Sequence, residues 1–83
     1  MDLSEIRNIR LNELVNLLGI GKSSIYQLIG SGLLPPPIHM SQRCSTWPIY
    51  EIKAVIAARA AQKTDVEIRA VVCDMIQARQ AGI

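Results

Sequence analysis

Residues 11–37 read LNELVNLLGIGKSSIYQLIGSGLLPPP, and this stretch decides the fold. Leu14, Leu17 and Leu18 fall at helical spacing and line one face of a first helix. Asn12 is the expected N-cap, because its side chain can accept a hydrogen bond from an unpaired first-turn amide. Gly19-Ile20-Gly21 then forms a turn in which Gly19 can take the positive φ that ends a helix and Ile20 can plug the corner. A second helix is expected from near Lys22 to about Ile29, with Ile25, Leu28 and Ile29 facing the core. At about 100° per residue, an inward Ile25 points Ser23 and Gln27 directly outward, leaves Ser24 and Tyr26 on the flanks, and puts Lys22 in the first turn. Gly30-Ser31-Gly32 ends this helix and Pro35-Pro36-Pro37 cannot continue it. The proline run is expected to project away as a rigid connector, with a proline ligand for a partner domain as the alternative. A helix, a tight turn and a second helix with a small polar outer face form a helix-turn-helix, which offers one short helix to the major groove of DNA.

Downstream, Ile38-His39-Met40 and residues 43–47 are short and β-compatible, with Ser41-Gln42 between them. They read as a hairpin wing. Neither Ser nor Gln readily takes the positive φ that a two-residue hairpin turn favours, so a longer or less regular loop is expected. Trp47 is expected in the core beneath the hairpin rather than as a base-stacking platform. Pro48 suits a helix's first turn, and the helix that follows has Ile52, Val55 and Ile56 on one face, with Ile49 and Ala60 near it. Thr64-Asp65-Val66-Glu67 has the form of a capping box, which starts a separate final helix at Thr64; one long helix from Pro48 is the alternative. Ile68, Val71, Val72, Met75 and Ile76 give that last helix an apolar stripe wide enough to need burial. The expected fold is mainly α with a small β-hairpin. Residues 1–63 form a winged helix-turn-helix, and residues 64–83 form an extra C-terminal helix that packs on the same domain or promotes self-association.

Composition fits this reading. Eighty-three residues suffice for one domain and not for two. The net charge is only +2, but it is unevenly spread. No Asp or Glu lies between Glu13 and Glu51, so nothing there repels a phosphate backbone. Residues 7–63 hold seven cations against two acids, whereas Asp65, Glu67 and Asp74 outnumber Arg69 and Arg79 in the tail. A basic body with a mildly acidic tail suits a nucleic-acid domain followed by an interaction element. Cys44 and Cys73 are isolated and read as small apolar thiols of a reducing compartment. With the lone His39 they match no zinc spacing. No apolar run is long enough to cross a membrane, and the acidic start MDLSE lacks the character of a signal peptide. A cytoplasmic protein is expected.

Catalysis finds no support. The chain has one His, no P-loop, no GxGxxG and no paired carboxylates at helical spacing. Tyr26 or Tyr50 as a DNA-cleaving nucleophile would need several cationic groups around the scissile phosphate, which so small a chain cannot assemble beside its core. The reading is therefore non-enzymatic, without cofactor or metal. For DNA binding, Ser23 and Ser24 can bond either type of base pair, and Gln27 can match the N6/N7 edge of adenine. Lys22 lies where helix N-terminal amides also favour a phosphate. Tyr26 either gives its hydroxyl to a phosphate or packs at the core edge. Arg43 on the hairpin can bind backbone phosphates or enter a narrow minor groove, with His39 and Gln42 as weaker helpers.

Several features stand in register: the Arg10-Leu11 opening with Glu13 and Leu14, then Gly19-Ile20 followed by Ser23-Ser24-Ile25-Tyr26. After these come Gly32, Leu34 and Pro36-Pro37, and then Arg43 and Trp47. In this the chain resembles the AlpA family of prophage and genomic-island regulators, grouped with excisionase and MerR-like winged-helix proteins. The resemblance runs from about Ile9 to Arg59. It implies double-stranded DNA near an attachment site or promoter as the partner, and a role as excisionase, as transcriptional regulator of an integrase, or both. An integrase is implied as a partner, while association with further copies of the chain on DNA is expected from the apolar stripe of the last helix, about which the resemblance is silent. It carries contact roles onto Lys22, Ser23, Ser24, Tyr26, Gln27 and Arg43. The sequence departs from the family's pattern at the wing, where Ser41-Gln42 replaces a glycine turn, and at Gln27, where an arginine often follows the tyrosine. A protein-binding adaptor on a helix-turn-helix scaffold is the alternative function, since fold does not fix function.

Overall fold

The structure, a computed structural model, describes residues 7–80. In chain order it holds β1 (Asn8–Arg10), α1 (Leu11–Leu18), α2 (Lys22–Gly30), β2 (Ile38–Ser41), β3 (Cys44–Pro48), α3 (Ile49–Ala60) and α4 (Asp65–Gln80). This is a winged helix-turn-helix followed by a C-terminal helix, with one strand beyond the expected hairpin. β3 is the central strand, antiparallel to β1 on one side and to β2 on the other. Three residues are too few to show a strand period. What makes β1 a strand is the pairing of Ile9 with Trp47, both fully buried. This pairing also moves the start of α1. Arg10 is held extended as the N-cap and makes no side-chain capping bond, so Asn12 lies inside the helix instead of capping it.

Gly19, at φ +68°, closes α1 by donating its amide to the Val15 carbonyl at 2.8 Å. α2 ends in a Schellman motif. Gly32 (φ +78°) donates to the Ile29 carbonyl and Leu33 to the Leu28 carbonyl, which turns Leu33 and Leu34 into the core. The proline run does not project away. Pro35 is fully buried, and its carbonyl accepts the Trp47 indole N–H at 3.0 Å. Proline has no N–H to offer a ladder, so the run is fixed through its carbonyls and is unavailable as an extended ligand.

The hairpin turn is Gln42-Arg43, one residue later than expected, since Ser41 pairs with Cys44. Neither turn residue has positive φ. Such a turn mismatches the twist of its strands, and the register shift between His39 and Ser41 is the bulge that accommodates it. Arg43 therefore sits in the turn itself.

On α3 the buried row is Ile49, Ile52, Val55 and Ala58. Ile56 falls off that row onto an exposed edge, and Ala60 is exposed. A second Schellman arrangement ends α3, with Gln62 in the left-handed region at φ 58°. The capping box then forms as expected. The Glu67 amide donates to Thr64 Oγ1 at 3.2 Å, and the Thr64 amide to Glu67 Oε1 at 3.0 Å. Two helices result, not one. α4 turns back onto α3, and its Ile68 and Val72 join the core that holds Ile9, Leu14, Ile25 and Trp47. Met75 and Ile76 pack beside them, partly buried. The thiols are less interior than expected, with Cys44 half-buried and Cys73 exposed, and both are free.

Candidate nucleic-acid interface

α2 is positioned by its inward row. Ile25 is fully buried and Leu28 and Ile29 partly so, which leaves Lys22, Ser23, Ser24, Tyr26 and Gln27 all exposed. Tyr26 lies on the surface, 52% exposed, rather than at the core edge. Gly21 caps the helix without a side-chain bond, and the first turn contains no acid. The first-turn amides of an α-helix have no acceptor within it, and its N-terminus carries about half a positive charge. This end of α2 therefore combines exposed donors, a positive potential and Lys22.

A groove of about 650 Å³ runs between α1, α2 and α3, walled by Leu17, Leu28, Val55 and Ile56. Its polar members are Ser24, Gln27, Ser31 and Arg59. Ser24 and Gln27 thus stand where the outer face of α2 meets this groove, while Ser23 and Tyr26 lie away from it. Arg43 stands apart from the α2 group, exposed on the hairpin turn, with Gln42 beside it. His39 shares a 3.1 Å hydrogen bond between its Nδ1 and the Ser45 hydroxyl.

The cations divide into two sets. Among the described residues, Lys22 and Arg43 make no ion pair, and neither does Arg10, which pattern reading had absorbed into the helix start. Elsewhere they are engaged. Arg7 meets Glu13 at 2.7 Å, Arg59 meets Asp65 and Lys63 meets Glu67, both at 3.9 Å, and Arg79 grips Glu51. The Glu67 carboxyl is held below its ordinary pKa by the Thr64 backbone amide first and the Thr64 hydroxyl second. The Glu51–Arg79 pair escaped sequence reading because its members are 28 residues apart and neither lies in a motif.

A surface helix with an open, positive N-terminus, joined to a hairpin tipped by an arginine, defines a winged helix-turn-helix protein. Within that class, the chain belongs to the AlpA family. Residues 7–60 match the family described as Prophage CP4-57 regulatory protein (AlpA). The chain is also similar to "Uncharacterized protein ORF88" of Enterobacteria phage P4, with 33% identity over 60 residues that cover 72% of this chain and 68% of that protein. No solved structure matches it. Membership of a prophage regulatory family implies a DNA-binding regulator. The family match stops before α4. No helix among the described residues is long and apolar enough to cross a membrane.

Proposed function

We propose that the chain is a sequence-specific DNA-binding protein of an integrated element. It acts in the cytoplasm as an excisionase, as a transcriptional regulator of an integrase, or as both. α2 enters the major groove, Ser23, Ser24 and Gln27 face base edges, and Lys22 and Tyr26 contact phosphates beside the helix N-terminus. Arg43 contacts the backbone or the adjacent minor groove from the hairpin turn. The observation that carries this reading is the set of exposed polar side chains on an acid-free stretch whose cations, Lys22 and Arg43, have no ion partner among the described residues. An integrase is the proposed protein partner in excision. Neighbouring copies associate on DNA through what α4 leaves outward, where Val66 is 74% exposed.

A gel shift on random duplex at low and high salt, followed by footprinting on the element's attachment region, tests the reading. Strongly salt-dependent binding and one protected site support it, because phosphate contacts release counterions. Binding absent even at low salt removes it in favour of the adaptor. Val66→Asp should leave single-site binding intact while reducing cooperativity on multi-site DNA, read by sedimentation.

A further inference from the structure

The connector from α2 to the hairpin, residues 31–37, is held at three carbonyls by side chains from elsewhere in the chain. Arg69 Nε donates to Ser31 O at 2.9 Å, Trp47 Nε1 to Pro35 O at 3.0 Å, and Arg79 Nη2 to Pro36 O at 3.0 Å. Two of these donors stand on α4, beyond the segment that matches the family.

Each end of the connector has a chemical need that α4 meets. α2 has no basic residue in its own last turn, so the negative end of its dipole is left without a local cation. Arg69 supplies one, and its stem lies over Gly32, where a Cβ would come within 3.7 Å of Arg69 Cγ. At the other end, prolines donate nothing, and the carbonyls of buried Pro35 and half-buried Pro36 take donors from outside the run. Arg79 supplies one of those. It is oriented by a two-pronged ion pair to Glu51 at 2.9 and 2.5 Å, and Glu51 is only 1% exposed.

α4 thus holds the end of α2 with one arginine and the root of the hairpin with another. We propose that α4 is a brace that fixes the angle between α2 and the hairpin, with Arg69 and Arg79 as positioning residues for DNA contacts that they do not make themselves; this rests on the reading of α2 and Arg43 as the contact surfaces. With the angle fixed, α2 docking presents Arg43 to the same duplex at high effective concentration. Without the brace, the hairpin must be ordered at each encounter and Arg43 contributes less.

The test is a double-mutant cycle on specific-DNA affinity, in the full chain. Arg43→Ala is measured alone, then in an Arg69→Met background, then in a Glu51→Met plus Arg79→Met background. Arg69 is exposed and loses one hydrogen bond. The paired substitution removes both charges together, so neither is stranded in the interior. Circular dichroism and denaturant melts confirm that each background is folded. Distant sites with no shared partner normally give losses that multiply. The brace requires that the combined loss fall short of the product by about threefold or more in both backgrounds. Losses that multiply in either background overturn it. If Arg43→Ala leaves the parent chain's affinity unchanged, the DNA-contact reading fails and the brace falls with it. If the parent responds and the backgrounds multiply, the brace alone fails.

Discussion

The α2–hairpin surface and the α3–α4 face carry the same kinds of cation and treat them in opposite ways. On the first, Lys22 and Arg43 stand exposed without an ion partner among the described residues. On the second, Arg59, Lys63 and Arg79 each face a carboxylate of the same chain, and one of those carboxylates is buried. The difference shows why a net charge of +2 says little by itself. Charge neutralised within the fold serves stability, while charge left unpaired on the surface serves attraction of an outside anion. Substitutions on the α2–hairpin surface should therefore act directly on DNA contacts. Those in the α3–α4 ion pairs should act first on folding and reach DNA only through the placement of α2 and the hairpin.

The largest effect belongs to the buried pair. Arg79→Ala leaves the Glu51 carboxylate buried and unpaired and should destabilise the fold by about 3–5 kcal/mol in a denaturant melt. The paired Glu51→Met, Arg79→Met change should come close to parental stability. A single change as mild as the paired one would show that Glu51 reaches water and that the contrast between the faces is overstated.

On the other face the same melts should barely move, because surface changes away from special features stay within about 0.5 kcal/mol. Affinity should move instead. Ser23→Ala and Gln27→Ala should each cost about 1–3 kcal/mol on the specific site and relax preference at one base pair. If specific binding survives the double substitution, the reading face lies elsewhere on α2. Arg43→Ala should weaken specific and random DNA alike and flatten the salt dependence by about one unit of slope. A loss confined to one operator position would make it a base or minor-groove reader.

Smaller effects sharpen the stability side. Gln62 sits in the left-handed region, which costs a side-chain-bearing residue about 1–2 kcal/mol. Glycine avoids that cost but loses about 0.5–1 kcal/mol in chain entropy. Gln62→Gly should therefore stabilise by up to about 1 kcal/mol with DNA binding unchanged. The smallest effect is one of pH. Because Glu67 titrates below its ordinary range in the fold, its contribution is complete above its unfolded pKa and disappears as pH falls through the folded one. An NMR titration should show the Glu67 carboxyl moving only part of the way back toward its ordinary value in Thr64→Ala, since that change removes the hydroxyl bond and keeps the larger lowering bond from the Thr64 backbone amide.

What the sequence made legible was local. The α1–turn–α2 unit rests on leucine spacing and on Gly19, and the start of α4 rests on Thr64 and Glu67, all within a few residues of one another. Trp47 was placed in the core by the apolar hairpin and helix that flank it. What stayed hidden depends on partners distant in the chain. β1 is a strand only because β3 lies beside it, and that pairing displaced the cap from Asn12 to Arg10. The hairpin turn moved one residue because a bulge, invisible in composition, reset its register. At the candidate interface, one buried Ile25 gave the outward directions of Ser23 and Gln27. The bordering of Ser24 and Gln27 on a groove did not follow, since that groove is assembled from three helices.

The antiparallel pairing of β1 with β3 encloses the whole helix-turn-helix in a closed loop, and this gives a mostly helical chain a folding problem of the β type. Both small helices form from contacts between neighbours and can flicker in and out early. Ile9, by contrast, must wait for Trp47, because among the described residues β1 pairs with β3 alone. Closing that loop brings distant residues together before their burial compensates for the lost freedom, and such non-local closures slow folding. The rate-limiting event should therefore be the meeting of the sheet rather than the winding of any helix. Shortening or stiffening the segment between the strands should accelerate it, while a better helix former in α1 should leave the rate nearly unchanged.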